Sequence, residues 1–192
     1  MSICQMQAGM AVEIVDTERH WYALRDLKRA NATSPAYKVL SEVGVEVFTP
    51  MTWRMVISKS GRKVGREVAI MPDLLFAYDT KENLDSIIAR IPTLQYRYKR
   101  GGAYCEPIIV PVQDMNRFIS AVSAAGSPRY YSMDEISSLN CGQRIRIMGG
   151  SMDGMEGKLL SIRGSRTKRL VVELPNLLAV SVEIQDEYIQ IL

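Results

Sequence analysis

The sequence is poor in the residues that most often carry catalysis and metal binding. It has a single histidine, His20, and three widely spaced cysteines, Cys4, Cys105 and Cys141, with no CxxC pair. No Ser–His–Asp arrangement, HExxH or metal cluster can be assembled around one histidine at the start of a strand, so His20 reads as structural. Three unpaired cysteines argue against a disulfide framework and against structural zinc. They fit reduced thiols in a cytoplasm, with Cys105 and Cys141 expected as small buried apolar residues. No apolar run approaches the ~20 residues needed to span a bilayer. The first residues lack a basic segment ahead of a long apolar core, so they do not read as a secretory signal. The expectation is a cytoplasmic chain without membrane contact, catalytic residues, metal or cofactor.

A glycine-rich stretch, GQRIRIMGGSMDGMEGKL (142–159), raises the question of phosphate binding. A P-loop ending at Gly157-Lys158 needs a glycine where Met152 stands and a Ser or Thr where Leu159 stands. A dinucleotide fingerprint also fails at Met152, and no helix follows to direct its N-terminus at an anion. Corner geometry between strands is the simpler role for these glycines.

What the chain does contain is an ordinary core-forming composition, 47% hydrophobic and 23% charged over 192 residues. The net charge of +3 is uneven: residues 20–125 hold 15 basic and 10 acidic groups, and residues 141–192 hold 7 and 6. Positive charge therefore gathers in the first folded part, where a phosphate backbone can meet it.

Periodicity and punctuation divide the chain into a loose extension (1–19), a first domain (20–126), a linker (127–140) and a second domain (141–192). In the first domain HWYALR reads as a strand. TSPAYKVLSEVG reads as a helix capped by Ser34, with Ala36, Leu40 and Val43 inward and Gly44 at its end. VEVFTP reads as a half-buried strand, and WRMVISKSGRKVGREVAI as a hairpin. LLFAYD reads as a central buried strand. TKENLDSIIARIP is a helix capped by Thr80, with Leu84, Ile87, Ile88 and Ile91 inward. LQYRYKRGGAYCEPIIV is a hairpin around Gly101–Gly102. PVQDMNRFISAVSAAG is a helix with Met115, Phe118, Ile119 and Val122 inward, ending at Gly126. The order β-α-β-β-β-α-β-β-α describes an α+β domain of mostly antiparallel strands. In the linker, two tyrosines suggest docking. Beyond 141, five short strands without a helix describe a small all-β barrel.

A basic surface remains. Lys28 and Arg29 sit in the turn after the first strand. Arg54, Lys59, Arg62, Lys63 and Arg66 decorate the first hairpin, with no acid between 52 and 66, and Arg97, Lys99 and Arg100 approach the second hairpin tip. Such tips can reach phosphates, and equally they can keep strand edges soluble.

The stretch 142–159 also resembles a KOW motif. Gly142, Ile145, Ile147, Gly150, Met152, Gly154 and Gly157 fill its places, with Ser151 where proline is common. HWYALR and REVAIMPDLLFAY resemble the N-terminal (NGN) domain of NusG-type transcription factors, and the two matching domains cover about 170 residues. MPDLLFAY puts Met71 and Asp73 where housekeeping members carry a Phe-Pro-Gly-Tyr type corner. LQYRYKR, EPIIVPVQDMNRFISAV and RTKRLVVELPNLLAVSVEI are similar to UpxY-type antiterminators of capsular polysaccharide operons. The resemblance implies an NGN domain, an antiparallel sheet flanked by helices, followed by an SH3-like KOW barrel. It implies a non-enzymatic factor that binds RNA polymerase and promotes read-through of a long operon.

An apolar depression gripping the polymerase clamp helices would be walled by Trp21, Tyr22, Met71, Pro72, Leu74 and Phe76, although Leu74 and Phe76 suit core packing as well. Arg25, Lys28 and Arg29, with Lys59, Arg62 and Lys63 as secondary candidates, would meet non-template DNA or nascent RNA. The barrel would meet a termination factor or a ribosomal protein. Its alternating β-branched residues (Val171, Val172, Val180, Val182 and Ile184) favour strands over a helical refold. The alternative is an RNA- or ribosome-binding KOW protein without polymerase contact.

Overall fold

The computed structural model describes residues 18–28, 32–58, 60–101, 103–124, 128–139, 141–161, 166–184 and 189–192. Residues 1–17, Arg29, Lys59, Gly102 and Gly126, all named above, lie outside them.

The first half follows the expected order: β1 (His20–Asp26), α1 (Ala36–Glu42), β2 (Glu46–Phe48), β3 (Met51–Ile57), β4 (Lys63–Ala69), β5 (Leu75–Asp79), α2 (Lys81–Arg90), β6 (Leu94–Tyr96), β7 (Ile109–Val110) and α3 (Val112–Ala124). One five-stranded sheet runs β2-β5-β1-β6, and β7 shares the β6 edge of β1. Every pairing in it is antiparallel. β5 lies between β2 and β1, as its nearly unbroken apolar run requires. β3 and β4 pair only with each other, as a separate two-stranded ribbon.

Side chains alternate across a strand, so each central strand feeds two cores. Tyr22, Leu24, Leu75 and Ala77 point toward Ala36 and Leu40 of α1 and Leu84 of α2. Trp21, Ala23, Leu74 and Phe76 point the other way, toward Met115, Phe118 and Ala121 of α3. Thr80 caps α2, its Oγ1 accepting from the Asn83 N–H at 3.3 Å.

α1 departs from expectation. Its N-cap is Pro35, with no side-chain cap from Ser34. Buried Asp26 does that work from the end of β1, accepting from the Ala36 N–H at 2.7 Å and the Lys28 N–H at 2.9 Å. A carboxylate bound to two backbone donors is a stronger cap than a hydroxyl. Val43 is 59% exposed rather than inward, because the helix ends at Glu42 and the chain turns at Gly44, φ +85°. Cys105 is exposed, at φ +55° in the arm beyond β6, and not a core residue.

The stretch expected as a linker carries β8 (Arg129–Ser132) and α4 (Met133–Ser138), the latter with a complete capping box between Ser132 and Glu135. The following strands are β9 (Cys141–Ile147), β10 (Glu156–Ser161), β11 (Lys168–Leu174), β12 (Leu178–Ile184) and β13 (Ile189–Ile191). They form a six-stranded antiparallel sheet, order β13-β9-β10-β11-β12-β8. Gly157 lies where β10 crosses β11: a Cβ there would stand 2.3 Å from the Val171 carbonyl oxygen. Gly150 and Gly154 hold φ of +72° and +76° around a short 3-10 turn, Gly150–Met152. These glycines serve close approach and turning.

The two sheets share one core. Ile145, Leu170, Val172, Val180 and Val182 join Trp21, Leu74, Phe76 and Phe118 in a continuous apolar cluster. A chain of rings marks the seam: Phe48 lies 6.3 Å from Phe76 and 6.0 Å from Phe118, and Phe118 lies 6.4 Å from Tyr130 of β8. The pair of tyrosines in the expected linker does dock. Burial pushes the Tyr130 hydroxyl up to about 12, with nearby Glu67 adding to the shift.

Candidate interaction surfaces

The six apolar candidates do not form one surface. Trp21, Leu74 and Phe76 are 3%, 2% and 0% exposed and share the face that α3 and the C-terminal sheet cover. Met71 packs half-buried at the margin of that cluster, and Pro72 is exposed beside it. Tyr22 is 1% exposed on the opposite face, against Tyr96 at 5.6 Å. Neighbouring residues of one strand cannot line the same depression, a constraint already present in the period of two.

Two of the candidate cations around the end of β1 are engaged within the fold. Arg25 lies 3.6 Å from the Asp73 carboxylate, and Arg97 donates to the same group at 2.8 Å. Lys28 is half-buried and its Nζ donates to the Ser34 carbonyl at 2.8 Å. Asp73 thus holds two arginines near the C-terminal end of β1. The sequence does not reveal this pairing, since the contact to Arg97 joins segments far apart in the chain.

The β3–β4 ribbon is the other basic surface. Arg62 and Lys63 are exposed at its tip, and Arg54 and Arg66 sit directly opposite each other in its register. A turn joins the strands: the Ser58 N–H donates to the Arg62 carbonyl at 2.8 Å and the Gly61 N–H to the Ser58 carbonyl at 2.9 Å.

A cleft of about 290 Å³ lies between α3 and the C-terminal sheet, lined by Asp114, Arg117, Arg144, Glu156, Lys158 and Glu173 among others. Its charges are compensated: Arg117–Asp114 at 2.7 Å, Arg144–Glu156 at 3.2 Å and Lys158–Glu173 at 2.9 Å, with Arg146 from outside the lining on Glu156 at 2.5 Å. The Arg146 hydrogen bond holds the Glu156 carboxyl below the ordinary range, which makes it a weak proton acceptor at neutral pH. Among the described residues, no three His, Cys, Asp or Glu side chains stand together as metal ligands. Likewise, no helix among them is long and apolar enough to cross a membrane.

No family model matches the chain, and no curated protein matches it. Among solved structures it is similar to NusG of Thermotoga maritima, in a structure described as showing domain interaction. The identity is 13%, the match covers 91% of this chain and 98% of that one, and the TM-score is 0.46.

Proposed function

We propose that this chain is a non-enzymatic, NusG-like antitermination factor that binds RNA polymerase and promotes processive elongation of a long operon, of the capsular polysaccharide class. The observation that supports this reading is the apolar band of Trp21, Met71, Leu74 and Phe76 on one sheet face. The sequence resemblance puts the grip on the clamp helices at that place. Bridging the clamp to the opposite lobe would oppose the opening that leads to pausing. Arg25, Lys28 and Arg29, with Lys59, Arg62 and Lys63 as secondary candidates, would meet non-template DNA or nascent RNA. The C-terminal sheet would serve a termination factor or ribosomal protein.

The band is covered by α3 and the C-terminal sheet, so polymerase would gain full access to it only as that cover loosens. The test is capture of core polymerase by the tagged full chain. Tyr130→Ala, which removes a ring from the seam, is expected to raise capture. Met71→Glu in that background is expected to lower it at least tenfold, with the fold verified by circular dichroism. Capture that ignores Met71→Glu would remove this face from the mechanism. The second reading, an RNA-binding protein without polymerase contact, draws on the exposed basic ribbon and predicts RNA binding with no polymerase capture by any variant.

A further inference from the structure

The β3–β4 ribbon carries exposed apolar bulk that the fold leaves uncovered. Trp53, Met55 and Ile57 are 73%, 67% and 75% exposed. They alternate along β3 and therefore share one face of the ribbon. Gly65 stands opposite Met55 in the register. A Cβ at Gly65 would lie 3.6 Å from the Trp53 ring, so the indole extends across the ribbon and presents its outer face to solvent. A two-stranded ribbon is marginal in water by itself, and uncovered aromatic and aliphatic side chains on it point to a ligand.

The charge pattern says which kind. From 51 to 69 the sequence holds five basic residues and one acidic residue, Glu67, opposite Trp53. On the ribbon's other face Arg54 and Arg66 are directly opposed, and among the described residues no carboxylate pairs with either. Like charges at that spacing repel, and a bound phosphate would reverse the sign of the contribution. Lys63 shares the indole's face at the tip end, opposite Ile57. On the ring's own face the cross-strand neighbour is Glu67 and the cation is Lys63, two pairs toward the tip. With Arg54 and Arg66 on the other face, the ribbon joins a stackable ring to a cationic tip and back, as sites for single-stranded nucleic acid do.

We propose that the β3–β4 ribbon is a binding site for single-stranded nucleic acid. Bases stack on Trp53 and lie against Met55. Lys63 meets the phosphates from the same face. Arg54 and Arg66 meet them from the ribbon's edges, which their long stems let them reach. This rests on the nucleic-acid part of the proposed function and deepens it, and because its test needs no polymerase, its failure leaves the polymerase reading standing.

The experiment uses the full chain carrying Trp21→Phe, which leaves Trp53 as the reporter. Its fluorescence is followed on titration with a single-stranded thymidine oligonucleotide, a uridine oligonucleotide and a duplex of equal length. Saturable quenching by either single strand, at least fivefold tighter than by the duplex, is the expected result. The two single-strand arms identify DNA or RNA as the source. Trp53→Ala in the otherwise unaltered chain, followed by anisotropy of a labelled strand, should weaken binding about tenfold. Arg54→Ala and Arg66→Ala should each lower the salt slope by roughly 0.7. Absence of Trp53 quenching at low salt, tighter binding of duplex, or indifference to Trp53→Ala would overturn the proposal. With no nucleic acid bound, the ribbon would be a protein contact instead.

Discussion

Trp21 and Trp53 both occupy strands of the first half of the chain, yet one is 3% exposed and the other 73%. Their strands differ in what lies on either side. β1 has partners along both edges, helices on one face and a second sheet behind α3 on the other. β3 has one partner strand and the solvent. Alternation sets which residues share a face, and only tertiary packing sets whether that face is covered. The covered face is a structural asset whatever else it does. The uncovered face contributes little to folding, so its composition is better explained by a ligand.

The largest expected contrast is in stability. Phe76→Ala removes a fully buried ring from the cluster that joins both sheets, at a cost of about 3–5 kcal/mol. Trp53→Ala should cost less than about 1 kcal/mol. Urea denaturation of the two variants checks this, and comparable losses would break the distinction between the two faces.

A smaller effect comes from acid. The Glu156 carboxyl is held low by Arg146, Glu106 by Lys99, and Glu135 by the Ser132 N–H. Groups with folded pKa values below their unfolded ones contribute stability above the ordinary carboxylate value, about 4.3. That stability is lost as pH falls through the folded values. Urea midpoints should therefore be level in these groups' contribution from about pH 6 to 7 and decline below about pH 4. All three side chains lie outside the ribbon, so the decline should accompany loss of the sheets. Stability rising toward acid would contradict these assignments.

Much of the fold was legible because its signals are local. Thr80 caps α2, Gly44 turns the chain after α1, and the alternation of Ile145 and Ile147 marks β9. The two tyrosines of 127–140 hint at docking, but their partners are not legible, because they depend on β8, a four-residue strand whose tyrosines find Phe118 and Ser181 only once α3 and β12 are in place. The Asp26 cap is not legible in the sequence because Ser34 and Pro35 look like a complete helix start. Of the site residues, the separation of Tyr22 from Trp21 follows from strand period alone, whereas the pairing of Arg25 with Asp73 needs the fold around the C-terminal end of β1. The ribbon's basic residues were evident from the sequence. The exposure of Trp53 was not, since its alternation with Arg54 looks the same in a covered strand.

The central claim is that one core runs through both sheets and seals the Trp21 face while the Trp53 face stays open. Because the chain has two tryptophans, acrylamide quenching of single-tryptophan variants tests it directly. With Trp53→Phe, the remaining Trp21 should emit at short wavelength and be quenched weakly. With Trp21→Phe, the remaining Trp53 should be quenched several-fold more strongly, close to free indole. Equal quenching of the two in the folded full chain would contradict the account.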